Sequence, residues 1–175
     1  RTLTVLTRGG AAQTLFAVQA KPLSALAPGE ITTVAGGIPY IGDGGSAVSA
    51  NIGSPEKLAF DGSGNLYIAD TGNHRVRRVD VTGTITTVAG TGEKGYDGDD
   101  KPATSARLNT PSGVAVDGAG NVYIADTGNR RIRRVDTSGR ITTVAGTGGY
   151  GYDGDDKPAT EAALADPNAV AADAS

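Results

Sequence analysis

The sequence contains no cysteine, methionine or tryptophan, one histidine and two phenylalanines in 175 residues. Without thiols there are no disulfide staples, no thiolate catalysis and no cysteine-ligated metals, and either redox compartment is allowed. A lone histidine cannot build the imidazole cluster on which many metal-dependent hydrolases and lyases depend, and there is no glycine-flanked serine elbow. No apolar run approaches the ~20 residues of a membrane-spanning helix. Positive charge is short as well. Lys and Arg total 16 against 19 Asp and Glu, a formal net charge of −3, which argues against nucleic acid as a partner, because such binding needs surplus basic charge to release counterions. The chain opens on Arg1, and the absence of any methionine is expected of a chain that starts inside a longer gene product, its secretion signal already lost.

Glycine is abundant: 27 residues, with no three-residue period, scattered between short β-branched runs. Many strands joined by tight turns fit that distribution better than helices do. The dominant pattern is an internal repeat. Leu66 to Asp80 reads LYIADTGNHRVRRVD, and Val122 to Asp136 reads VYIADTGNRRIRRVD, 56 positions on (122 − 66 = 56). Pro55, Pro111 and Pro167 keep the same spacing, as do Asp61, Asp117 and Asp173, and ITTVAG begins at Ile31, Ile85 and Ile141. Each unit is one supersecondary module that buries its apolar faces only by stacking on its neighbours.

The second unit shows the strands best. GVAVD (Gly113 to Asp117), NVYIAD (Asn121 to Asp126), RIRRVD (Arg131 to Asp136) and ITTVAG (Ile141 to Gly146) are joined by DGAGN, DTGNR and DTSGR, which carry the residues tight hairpins require. This predicts a four-stranded antiparallel meander. Apolar residues on both faces of NVYIAD place it mid-sheet, the large/small alternation of GVAVD suits a crowded central axis, and the threonines of ITTVAG suit an outer edge. Sheets covered on both faces by copies of themselves describe β-propeller blades, an all-β fold.

PSGVAVDGAGNVYIADTGNRRIRRVD, followed by ITTVAGTG and a GDDKPAT loop, resembles the NHL repeat. The resemblance covers residues 31–175 and implies a propeller, most often six-bladed, with about two complete blades here (57–90 and 113–146) and the start of another at 168–175. ITTVAG at 31–36 is then an orphan outer strand of the kind that closes a ring. Residues 1–20 resemble the last hairpin of an immunoglobulin-like domain of the IPT/TIG type, a neighbour of propellers in bacterial surface proteins, with 21–30 as linker. Two complete blades would leave strand edges and blade faces open. The expectation is a piece of a larger ring or a chain that closes by self-association as a homo-oligomer.

The loops between blades, Thr91 to Ser112 and Thr147 to Asn168, are long for a compact repeat, and such loops often carry binding. Tyr96, Asp97, Asp99 and Lys101, with Tyr152, Asp153, Asp155 and Lys157, are the candidate interaction residues. Asp97, Asp99, Asp100, Asp153, Asp155 and Asp156 could supply oxygen ligands to calcium as a cofactor. The competing reading has these carboxylates capping turn amides, with Tyr40, Tyr96 and Tyr152 packed under the loop. Thr104 and Thr160 are expected to open a single helical turn, after which Leu108 or Leu164, like Ile52, plugs the gap between blades. Arg75, Arg77 and Arg78, with Arg131, Arg133 and Arg134, form a repeated basic stripe. Some animal NHL propellers bind RNA on a basic face, but Asp70, Asp80, Asp126 and Asp136 flank the stripe and are expected to neutralise it by cross-strand pairing. His74 occupies a turn where the second unit has Arg130, and is expected to face solvent.

These features favour a non-catalytic extracellular or cell-surface module that presents repeated loops to protein or glycan partners. The alternatives are a structural subunit of a filament, sheath or layer, and a fragment of a propeller lyase or lactonase.

Overall fold

The computed structural model describes residues 5–6, 15–16 and 42–173. Strands β1 (Val5–Leu6) and β2 (Leu15–Phe16) pair antiparallel. The expected IPT/TIG remnant, the linker, the orphan strand at 31–36 and Tyr40 otherwise lie outside the described residues.

Two twisted sheets follow. Strands β3 (Leu58–Phe60), β4 (Leu66–Asp70), β5 (Arg75–Val79) and β6 (Ile85–Ala89) form the first, ordered β3-β4-β5-β6. The second has β8 (Pro111–Val116), β9 (Val122–Asp126), β10 (Arg131–Val135) and β11 (Arg140–Ala145) in the same antiparallel order. It gains a fifth strand, β7 (Lys101–Pro102), which leaves the inter-blade loop to pair outside β11. ITTVAG is therefore not the outer edge of the second blade: the loop supplies a short edge of its own and takes up backbone groups that β11 would otherwise expose.

The alternation seen in the sequence sets the packing. On β4, Leu66 and Ile68 point to one face and Tyr67 and Ala69 to the other, and all five residues of the strand are buried. Tyr67, Ala69, Val76 and Ala89 of the first sheet meet Val114, Val122, Ile124, Val135 and Ile141 of the second in one core. Ala103, Ala106 and Leu108 of the connecting loop are wedged between them. Leu108 is fully buried, so it plugs the gap between blades. The opposite face of the first sheet (Leu66, Ile68, Val79, Ile85) is covered by Ala47 and Ala50, with Ile52 alongside. The chain thus stacks sheet, loop and sheet, each loop sealing a blade face that the strands alone leave open.

The two units share their irregularities. Register slips by one between Val76 and Arg77 and again between Ile132 and Arg133. Ser54, Thr110 and Asp166, each before a proline, all have φ 45°. His74 and Arg130 both lie in the left-handed region at φ 52°. Identical bulges and turns are conformational features of the repeat rather than accidents of one blade. The turns expected to begin with Thr104 and Thr160 are 3₁₀ turns at Ala103–Ser105 and Ala159–Glu161, entered from Pro102 and Pro158 without a side-chain cap. The threonines sit inside the turn, because the proline ahead already fixes the entry. Residues 168–173 form no ladder, and Ala169 runs close against Gly113.

Candidate functional site

In each unit a guanidinium lies buried among oxygen acceptors. Arg77 and Arg133 have no solvent exposure. Arg133 Nη2 donates to Asp99 Oδ1 at 2.8 Å, and Nη1 lies 3.5 Å from Asp126 Oδ2. Arg77 repeats the pattern with Asp43 at 3.0 Å and Asp70 at 3.8 Å. Arg77 and Arg133 of the basic stripe are thus structural cations held inside the blade boundary, in keeping with the expected pairing. Asp70 and Asp126 are cross-strand partners, as expected. Asp80 and Asp136 instead cap the turn ahead of the last strand, accepting from Thr82 and Thr84 or from Ser138 and Arg140. Burial raises the carboxyls of Asp70 and Asp126 above their ordinary value despite the donors around them.

These carboxylates also tie the loops down. Asp126 Oδ1 accepts the N–H of Asn109, and Asp70 Oδ1 that of Gly53, so each blade holds the incoming end of the loop before it. The loop's other anchor is threonine. Thr143 Oγ1 donates to Asp99 Oδ1 and Thr87 Oγ1 to Asp43 Oδ1, the second Thr of ITTVAG in each case. Thr71 Oγ1 donates to the carbonyl of Pro111, and Thr127 Oγ1 to that of Pro167, both at 2.7 Å, clamping each DTGN turn to the following segment. Sequence reasoning missed both threonine roles, although the exact recurrence of TTVAG and DTGN was the available signal.

The first loop is docked on the second blade. Arg131 stacks on the Tyr96 ring at 3.8 Å from its centroid, with Arg133 at 5.0 Å. Asp97 accepts the Arg107 N–H and pairs with Lys101 at 3.3 Å, while Asp100 pairs with Arg140 at 3.2 Å. In the second loop Asp153 likewise accepts the Ala163 N–H and pairs with Lys157 at 3.0 Å. Tyr152 does not pack under its loop. It is 76% exposed and donates to Asp155 Oδ2, because no arginine lies over it among the described residues. Asp156 is exposed, at φ 58°. Asp97, Asp99, Asp100, Asp153 and Asp155 are thus engaged by cations or N–H and O–H donors, and among the described residues no group of three or more His, Asp or Glu side chains converges as a metal-holding set.

The DTGN turns meet the two ends of the first loop, at Lys94 to Gly95 and Asn109 to Thr110, while the middle of that loop reaches the Asp136–Arg140 turn at the other end of the strands. His74 is half-buried, not solvent-facing, and its Nδ1 accepts the Thr110 N–H at 3.1 Å. Burial and the nearby Lys94 hold its imidazole below the ordinary value, as suits a neutral acceptor. Asn129 Nδ2 donates to the Gly95 carbonyl, joining the second turn to the first loop. At the opposite strand ends, Asp61 and Asp117 each accept from an Asn side chain, two backbone N–H groups and a tyrosine hydroxyl. That end is turn architecture; the loop end carries the varied chemistry.

Two family models match: the Teneurin NHL domain over residues 91–158 and the NHL repeat over 53–79. NHL repeats therefore account for residues 53–79 and 91–158. Human teneurin-4 is 42% identical over 101 residues, covering 50% of this chain and 4% of that protein. A solved structure of a protein of unknown function from Bacteroides thetaiotaomicron matches with a TM-score of 0.61 at 25% identity, covering 72% of this chain and 32% of that one. An auxiliary nutrient binding protein from Bacteroides ovatus matches with a TM-score of 0.52 at 28% identity, over 64% of this chain and 31% of that one. The NHL segment described here therefore spans a small part of teneurin-4 and about a third of each solved chain.

Proposed function

We propose that this NHL segment is a non-catalytic binding module of a secreted or surface-attached protein, and that it meets protein or glycan partners through the end formed by the DTGN turns and inter-blade loops. The observation that carries this reading is a division of labour. The charged groups a sequence would nominate for chemistry, Arg77, Arg133, Asp70 and Asp126, are buried and spent on holding the chain together, whereas the inter-blade loops expose Lys94, Tyr96, Tyr150 and Tyr152. A stiff frame with exposed side chains on its connections is the usual arrangement of a recognition surface. Similarity to an auxiliary nutrient binding protein adds support.

The test is to display the full chain to arrays of glycans and extracellular proteins and to repeat any hit with substitutions at the two ends. Tyr150→Ala should weaken binding at least fivefold, while Ser63→Ala at the other end should not. Turnover of a bound ligand, or sensitivity only at the Ser63 end, would overturn the reading.

Self-association is a second reading with its own observation. Leu58 and Phe60 on β3 are 60% and 54% exposed, whereas Val114 at the equivalent position of the second blade is 5% exposed. Light scattering decides it: a concentration-dependent dimer abolished by Leu58→Ser supports self-association, and a monomer at all concentrations removes it.

A further inference from the structure

The two units differ mostly in their loops, and three of the differing places touch. Between the matched stretches 66–80 and 122–136 the changes are Leu66 to Val122, His74 to Arg130 and Val76 to Ile132, so only the middle one alters chemistry. The loops 91–112 and 147–168 differ at seven positions, and two of these lie beside the turn: Lys94 gives way to Tyr150 and Thr110 to Asp166. His74, Lys94 and Thr110 are neighbours: the imidazole accepts the Thr110 N–H and feels the Lys94 charge. Their counterparts are neighbours too. The Arg130 guanidinium lies 5.2 Å from the Tyr150 ring centroid, and its Nε is 3.8 Å from Asp166 Oδ1. The backbone beneath does not change, with φ 52° at both 74 and 130 and 45° at both 110 and 166. A constant frame therefore carries a trio of side chains that changes as a set.

Packing does not account for this trio. Tyr150 is 71% exposed, and the Arg130 and Asp166 side chains are 37% and 65% exposed. The Arg–Asp separation exceeds hydrogen-bond reach, so the Asp166 carboxylate keeps its acceptors. One open aromatic face, one guanidinium donor and one carboxylate acceptor, with charges that cancel, form a complementary set for a neutral polyhydroxylated ring. The C–H face of a pyranose stacks on an aromatic ring, and adjacent hydroxyls donate to a carboxylate while accepting from a guanidinium.

We propose that Arg130, Tyr150 and Asp166 form a binding site for a neutral oligosaccharide, and that His74, Lys94 and Thr110, on the same frame without an aromatic platform, do not. This rests on the binding-module reading and names the ligand class of that surface. The free loop ends recur once per blade, so variation at these three positions sets which blades take sugar.

The experiment is a titration of the full chain, its six tyrosines ring-labelled for NMR, with maltohexaose, cellohexaose and xylohexaose. At least one should shift the Tyr150 ring saturably with one site per chain. Tyr150→Ala and Asp166→Asn should lower affinity about tenfold, as expected for loss of a stacking or charge-assisted contact, and Tyr150→Phe should retain it. The triple variant H74R/K94Y/T110D should raise the stoichiometry from one to two. No saturable shift at Tyr150 with any of the three sugars, or binding unchanged in Tyr150→Ala with native circular dichroism, overturns the proposal. Capture of a protein on the same end without any sugar response overturns the sugar site but leaves the module reading standing. Failure of both sugar and protein arrays removes both.

Discussion

Single residues divide into those that hold turns and those that hold blades together. Asp117 is a turn holder: hydrogen bonds from the Asn121 side chain, opposed by slight desolvation and helped by further N–H and O–H donors, keep its carboxyl below the ordinary value. A depressed folded value contributes stability above the unfolded value near 3.9, and that stability is lost as pH falls through the folded value. Asp117→Asn should therefore lower the melting temperature at neutral pH, and the gap to the parent chain should shrink below about pH 4. Thermal melts at the two pH values check this. Asp70 and Asp126, whose values are raised by burial, contribute with the opposite sign, which is why the variant difference and not the raw melting curve is the diagnostic. Arg133 is a blade holder. Arg133→Met leaves Asp126 buried beside a missing cation and should cost about 3–5 kcal/mol, read from urea unfolding midpoints.

Elements are defined by how closely they approach one another. Gly90, at φ 98° after β6, would place a Cβ 2.3 Å from the His74 carbonyl oxygen, while Gly83, at φ 86° in the turn before β6, has nothing within 4 Å. Gly83→Ala should cost about 1–2 kcal/mol from left-handed backbone alone. Gly90→Ala should cost distinctly more, since backbone must also move to relieve the clash; paired denaturation curves test the ranking. The four-stranded meander, its turns and the inward Leu108 were legible in the sequence because period-two alternation and Asp-Gly turns are local signals. The strand added outside β11 was not legible, because Lys101–Pro102 has no strand pattern and pairs only where the blade puts Arg140 and Ile141 beside it. The pairing of Arg133 with Asp126 across adjacent strands was legible for the same local reason, whereas its contact with Asp99 was not, because that partner arrives only when the loop folds over the strand.

For the whole molecule, stability lies in the boundary between the sheets. Leu108 has no exposure and touches the cores of both, so Leu108→Ala should cost about 2–5 kcal/mol. It should also broaden the unfolding transition, as nearest-neighbour coupling between repeats weakens. Calorimetry reads both effects. A loss of stability without broadening would mean that the blades stay coupled through the Thr71–Pro111 and Asn109–Asp126 bonds.

The sequence by itself determined the repeat, the all-β meander and the apolar faces, because alternation and turn residues act at short range and recur with the 56-residue period. Only the tertiary structure decided what each charge does. The same arginine is a surface cation in an isolated strand and a buried clamp once Asp99 and Thr143 close over it, and His74 becomes an acceptor only when the next unit brings the Thr110 N–H within reach. Burial and partner geometry are long-range properties of the stacked units, and they separate the side chains that hold this molecule together from those it presents.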